Sequence, residues 1–293
     1  MSEETFPSGV ASPFDADLLA VAQQWRTNAV VTGEAFKPLP AGMARSLPTI
    51  YGECEPRWMI DEHNRPVVVK TQPKDKDKQD QIVREAIVSR LANAVGLPVP
   101  PVVIWELPPE ARVRHTVVSY RAFPNARDFS KFDDPVVKNI LMRDDQFVFA
   151  HAFNSWVMRK DCRPHNHVCD MPSGAFPKPP VAYIDWGRSL HYSGKIGKEA
   201  EPLFKGGEAD SGSILSAANF EDRFHIAKMK AQLRDGQDIY QRIQKVPDSI
   251  IAEAVDAAPT ALMTRDAPQS LKDTLRYRRD NIKTLTLRSA AIA

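Results

Sequence analysis

Residues 66–104 read PVVVKTQPKDKDKQDQIVREAIVSRLANAVGLPVPPVVI. A valine-rich run ends on Lys70, and β-branched residues in a short run favour a strand. A charged stretch follows. From Gln81 to Val95 the apolar residues Ile82, Ala86, Val88, Leu91, Ala92 and Val95 recur with helical spacing. Gly96 and Pro98 then stop the helix in the usual order. The result is a strand ending in lysine, followed by a helix with Glu85 in its first turns. A carboxylate so placed can fix a lysine amine that in turn holds phosphate oxygens. Each residue alone is unremarkable: strand-end lysines are usually solvated, and a glutamate near a helix start is favoured by the helix dipole. The alternating Lys74–Lys78 run reads as a solvated loop.

Upstream, residues 1–15 read as a loose tail, 15–31 as one amphipathic helix, and 33–46 as irregular. Trp58-Met59-Ile60 and Pro66–Lys70 form a hairpin across the turn cluster Asp61-Glu62-His63-Asn64. Two more strands are expected at 99–107 and 113–120. Beyond 121 the pattern turns helical, at 134–143, 145–158, 217–234, 249–256 and 268–287, with a short apolar strand at 181–184. A strand-rich part with one helix thus precedes a helix-rich part.

Two segments of the second part carry chemistry. In RKDCRPHNHV, Asn166 stands five residues after Asp161, the spacing of a protein-kinase catalytic loop. There an aspartate orients the acceptor hydroxyl and takes its proton, and an asparagine oxygen ligates Mg²⁺. In VAYIDWGRSL, an apolar strand delivers Asp185, then an aromatic residue, then glycine. This reads as the metal-binding Asp-Phe-Gly element with tryptophan for phenylalanine, the alternative being an Asp-aromatic-Gly turn after an edge strand. Cys162, His165, His167 and Cys169 are zinc-competent residue types, but their spacing is too compressed for a structural site built from two separated ligand pairs. The Arg276, Arg278 and Arg279 run on the last helix reads as a solvated face.

Together, VVVKTQ, REAIVSRLANAVGLPVPPVVI, the Asp161–Asn166 loop and YIDWGRSL resemble the HipA-like kinases, and more distantly the phosphatidylinositol kinases. The resemblance continues through VPDSIIAEAVDAAP and LRYRRDNI, spanning about residues 50–287. It implies an α+β, bilobal protein-kinase-like fold with a small antiparallel sheet and one helix in the N-lobe and a larger, mainly helical C-lobe. The division expected is 1–45 as an N-terminal extension, 46–120 as the N-lobe and 121–293 as the C-lobe. It further implies ATP and Mg²⁺ as cofactors, and frequently phosphorylation of protein serine or threonine. Carried over, Lys70 holds phosphates and Glu85 positions it. Asp161 is the catalytic base, and Asn166 and Asp185 hold metal. Residues 52–57 (GECEPR, opening on Gly52) stand where the family has a short nucleotide-covering loop, and Val118 and Tyr120 mark the hinge beside adenine. The loop departs from a glycine-rich pattern in having one glycine. Cys162 stands where the family often has arginine after the catalytic aspartate.

Composition narrows the rest. The 293 residues are 43% hydrophobic and 26% charged, enough for a sizeable core. A net charge of +2 shows no bias toward nucleic acid or membrane surfaces. Three cysteines argue against a disulfide framework. The N-terminus has no basic and apolar signal pattern, and no apolar run is long enough to span a bilayer, so a cytoplasmic location is expected. The expected partner is a protein substrate, or else a lipid or small-molecule acceptor; the remaining alternative is a nucleotide-binding pseudokinase that acts as an interaction module. These 293 residues are expected to lack the extra N-terminal subdomain of full-length HipA toxins, so no antitoxin partner is implied.

Overall fold

The computed structural model describes residues 30–45, 47, 50, 54–71, 81–111, 115–123, 126–128, 145–159, 166–170, 181–190, 223–263 and 267–289. In these the strands are β1 (Val30–Thr32), β2 (Phe36–Pro38), β3 (Arg57–Asp61), β4 (Pro66–Thr71), β5 (Val102–Glu106), β6 (His115–Tyr120), β7 (Ala126–Asp128), β8 (His167–Asp170) and β9 (Val181–Tyr183). The helices are α1 (Ala41–Ala44), α2 (Gln81–Ala94), α3 (Asp145–Trp156), α4 (Arg223–Asp235), α5 (Gln237–Gln244), α6 (Asp248–Asp256), α7 (Ala267–Asp280) and α8 (Ile282–Ser289).

Six strands form one sheet in the order β1-β5-β6-β4-β3-β2. All pairings are antiparallel except β1 on β5, which is parallel. β7, β8 and β9 form a second antiparallel sheet. Helices α3 to α8 pack on one another around α3. This is the α+β, two-lobed arrangement expected from the sequence.

Local chemistry explains the joints. At the β3–β4 turn, the Asp61 carboxylate accepts from the backbone N–H groups of His63 (3.0 Å) and Arg65 (2.8 Å). Asn64 adopts φ +59° there, a left-handed conformation that asparagine tolerates. At the end of α2, Gly96 has φ +75°. Gly96 N–H donates to Asn93 and Leu97 N–H to Ala92, both at 2.9 Å, the paired bonds of a Schellman cap.

The amino-terminal part differs from expectation. Val30 and Val31 lie in a strand rather than in the helix expected over 15–31, whose other residues fall outside those described. The Val-Val-Thr run is β-branched, which favours an extended edge strand once β5 offers a partner. Phe36–Pro38, expected to be irregular, pairs with β3, and Phe36 packs edge-on against Trp105 at 5.2 Å. The six-stranded sheet therefore takes in Val30–Pro38, ahead of residue 46. The helix expected over 134–143 lies outside the described residues. The last helix is broken at Asn281 into α7 and α8.

One buried group carries a stability prediction. His151 lies inside α3, fully buried, and burial lowers its pKa from 6.5 to about 4. The unfolded chain therefore binds a proton below pH 6.5 that the folded chain refuses until about pH 4. Stability is present above pH 6.5 and falls on acidification through that window, by about 3 kcal/mol for this group. The unfolding free energy of the wild type, followed by urea titration from pH 7 to 4.5, is expected to fall more steeply than that of His151→Gln. Parallel curves for the two proteins would refute the assignment.

Candidate active site

Lys70 sits on the last turn of the pleat in β4, where Val67 and Val69 anchor the strand in the N-lobe core. Its ammonium donates to both carboxylate oxygens of Glu85, at 2.8 and 2.9 Å, and to Oδ1 of Asp185 at 2.9 Å. The three side chains differ in exposure: Glu85 4%, Lys70 15% and Asp185 47%. Burial by itself would depress the Lys70 pKa, but the Asp185 and Glu85 carboxylates outweigh it and hold the amine above its ordinary value. For Glu85, burial pushes the carboxyl upward and Lys70 opposes it. Lys70 is thus firmly cationic, and Glu85 depends on it for its charge.

Asp185 follows β9 with φ +61°. Met158 (φ +49°) and Leu190 (φ +50°) share this left-handed conformation, which costs an L-residue about 1–2 kcal/mol. Such strain persists only where the surroundings over-determine it, and Arg159 contributes contacts beside Asp185. Fully buried, it donates from Nη2 to the carbonyls of Ile184 (2.7 Å) and Asp185 (3.1 Å). Its guanidinium also lies 4.0 Å from the centre of the Trp186 ring. The loop entry is fastened to the Asp-Trp-Gly segment a second time, by Leu190 N–H donating to Val157 O at 2.7 Å. Sequence reading passed over Arg159. Its signal is a charge three residues past the end of helix α3 and two residues before Asp161.

Asn166 is buried where its segment enters β8. Its carbonyl accepts from Ile184 N–H at 3.0 Å, which brings its backbone beside that of Asp185. Beneath it, His167 stacks on Phe147 (5.7 Å) and meets Tyr183 edge-on (5.2 Å). An amide oxygen and a carboxylate are hard donors of the kind Mg²⁺ takes, so this pair fits that ion. Asp161 and Gly52 lie outside the described residues, as do Cys162 and His165. His167 and Cys169 are both buried on β8.

The other expected residues are placed as follows. Cys54, within GECEPR, accepts at its carbonyl from Thr71 N–H and Oγ1, both 2.9 Å, and its thiol donates to Gln81 Oε1 at 3.4 Å. That end of the segment is therefore held beside Lys70 and the start of α2. Gly187 lies against the same Gln81. Val118 is fully buried in the sheet, paired with Val69 and Val103. Tyr120 is turned toward the β3–β4 hairpin: burial and its bond to Asp61 raise its pKa to about 12, and Arg65 lies over its ring at 5.6 Å.

The structure thus gathers Lys70, Glu85, Asp185 and the backbone of Asn166 from four separate elements. No protein-family model and no curated protein matches the chain. Among solved structures it is similar to the Helicobacter pylori proinflammatory kinase CtkA, at 12% identity and a TM-score of 0.54, covering 84% of this chain and 94% of that one. The Rio2 kinase from Chaetomium thermophilum, solved as an ADP/Mg²⁺-phosphoaspartate complex, matches with a TM-score of 0.40 and 12% identity over 92% of this chain and 78% of that one. The Leishmania major MAP kinase LmaMPK10 matches with a TM-score of 0.35 and 13% identity over 94% and 86%. The first of these likenesses, together with the lobes described above, shows that this chain has a protein-kinase-like fold.

Proposed function

We propose that this chain is a phosphotransferase of HipA-like type that uses ATP and Mg²⁺ and phosphorylates a hydroxyl group, with protein serine or threonine as the acceptor. The observation that carries this is the Lys70 ammonium held between a buried glutamate and a half-exposed aspartate. A lysine so clamped is a fixed positive charge beside a half-exposed carboxylate, suited to phosphate oxygens. Bound Mg²⁺–ATP supplies the electrophilic γ-phosphoryl group and neutralises part of its charge. Lys70 binds phosphate oxygens, and Glu85 keeps the amine oriented. Asp185 and Asn166 offer oxygen ligands to the cation. Asp161 holds the acceptor hydroxyl in line and takes its proton as the oxygen bonds to the γ-phosphorus and the bond to the β-phosphate oxygen breaks, releasing ADP. No helix among the described residues is long and apolar enough to cross a membrane.

The test is incubation of the purified protein with γ-labelled ATP and Mg²⁺, with host lysate and with phosphoinositide vesicles in parallel. Alkali-labile label on protein, located to serine or threonine by mass spectrometry, is expected. Label confined to lipid would move the acceptor to that class. Nucleotide binding without transfer would make the chain a binding module, and absence of nucleotide binding would end the kinase reading.

A further inference from the structure

We propose that Arg242, with helix α6 behind α2, is a positioning element that locks α2 in place, so that Glu85 stays on Lys70 whether or not nucleotide is bound. A helix carrying such a glutamate can switch a site off by rocking away from its sheet, because protein-kinase activity requires the lysine–glutamate pair to be in place. Rocking is cheap only if one face of the helix is anchored. Here both faces are.

Ile82 and Ala86 of α2 belong to the N-lobe core, with Val67, Val69 and Val118. Val83, Ile87, Val88 and Leu91 belong instead to the C-lobe core, with Phe149, Phe153, Ile251 and Val255. Helix α2 is accordingly buried on nearly every side, Arg84, Glu85 and Ser89 included, as befits a helix held between two layers. Its last turn is tied down separately. Nη2 of Arg242, from α5, donates to Val95 O at 2.6 Å, and the guanidinium lies 3.8 Å from the centre of the Phe149 ring. A Cβ on Gly96 would stand 3.0 Å from the same Nη2, so the left-handed glycine also clears the approach. Two residues on, Pro98 O accepts from Tyr183 N–H of β9 at 2.9 Å. On the outer side, Glu253 of α6 attracts Arg90 of α2. Moving α2 off the sheet would therefore tear a C-lobe core, an end cap and a backbone bond between the lobes.

The consequence for catalysis rests on the kinase reading above, whereas the clamp rests on packing alone. The experiment separates them. Hydrogen exchange of peptides covering residues 81–97 is measured by mass spectrometry with and without a non-hydrolysable ATP analogue and Mg²⁺, binding of the analogue being followed by calorimetry. In the wild type, bound analogue is expected to change exchange in α2 less than twofold, because the helix is already seated. Tenfold protection of α2 by nucleotide would overturn the clamp. In Arg242→Met, exchange over 90–97 is expected to rise about tenfold, the ratio for one charge-assisted bond lost. The kcat is expected to fall while the KM for ATP stays within twofold, and Arg242→Lys, which keeps a donor near Val95, is expected to recover most of it. Unchanged exchange in Arg242→Met would also overturn the proposal. Should Arg242→Met fail to fold, the surface change Glu253→Gln decides, with faster α2 exchange expected and unchanged exchange counting against. If the wild type neither binds the analogue nor transfers phosphate, the kinase reading falls while the variants still decide the clamp.

Discussion

Asp185→Asn is expected to lower phosphoryl transfer by a factor on the order of 10³ while leaving the protein folded. The carboxylate is half exposed, so its loss costs little stability, and asparagine tolerates φ +61° about as well as aspartate. The same variant has a second expected effect, opposite in sign. An ammonium has three donors, and those of Lys70 all point at carboxylate oxygens, two on Glu85 and one on Asp185. A phosphate must displace one of them. Asp185 is the one to leave, since Glu85 is buried and seated on α2. Without Mg²⁺ to claim the freed carboxylate, nucleotide binding by the wild type is expected to work against this ion pair. Asp185→Asn removes that opposition, so metal-free ADP is expected to bind about tenfold more tightly than to the wild type, a difference of about 1.4 kcal/mol. Calorimetry with ADP in the presence of a chelator, beside a turnover assay with Mg²⁺, reads both effects. Wild-type turnover in the variant would remove Asp185 from the mechanism, and weaker metal-free binding would refute the displacement argument.

The second large effect concerns Arg278. Sequence reading placed it on a solvated face with Arg276 and Arg279, and the structure corrects this. Arg276 and Arg279 do meet the exposed Asp248, at 3.0 and 2.6 Å. Arg278 points inward and is fully buried. Its Nε donates to Trp156 O at 2.9 Å and its Nη2 to Ser155 O, at the carboxyl end of α3. Trp156 Nε1 answers with a bond to Leu275 O at 2.8 Å. The physical reason is that a helix end leaves carbonyls unpaired, and here no water can reach them. Burial lowers the Arg278 pKa to about 9, so the group is still charged at neutral pH and bears a real desolvation cost. Against that stand charge-assisted bonds worth about 1.5–3 kcal/mol each. The terms nearly balance for the guanidinium itself, and the cavity decides the sign. Arg278→Ala, which leaves both carbonyls unmet and a void beside Trp156, is expected to lose on the order of 3 kcal/mol. Arg278→Met fills the space and is expected to lose about half as much. Urea unfolding of both variants checks the order. Equal stability of Arg278→Ala and wild type would show that the bonds contribute nothing. Because α3 leads directly into Arg159, Arg278→Ala is also expected to loosen the Asp-Trp-Gly segment.

Much of this protein was legible in one dimension because its local signals agree. The valines of β4, the α2 periodicity and the Gly96 stop each act over a few residues, and the structure forms β4, α2 and its cap where they point. The lysine–glutamate pair follows from that local order: a strand and the next helix, packed together, bring residues 70 and 85 within reach. The Arg278 reading failed for the converse reason. Three arginines in four positions look alike in sequence, and only the 100° step between helical residues, set against the site where α3 ends, selects which one is buried.

The sequence alone determined the valine strand that ends near Lys70, the helix that carries Glu85 and the short strand that delivers Asp185, since residue type and short-range periodicity suffice for each. Tertiary structure decided the rest. It placed the Val30–Thr32 run against β5, buried α2 on both faces, and turned Arg159 onto the carbonyls of Ile184 and Asp185. Each of these depends on a partner distant in the chain: an open strand edge, a second apolar layer, or a carbonyl without a donor. Such a partner exists only once the chain has folded.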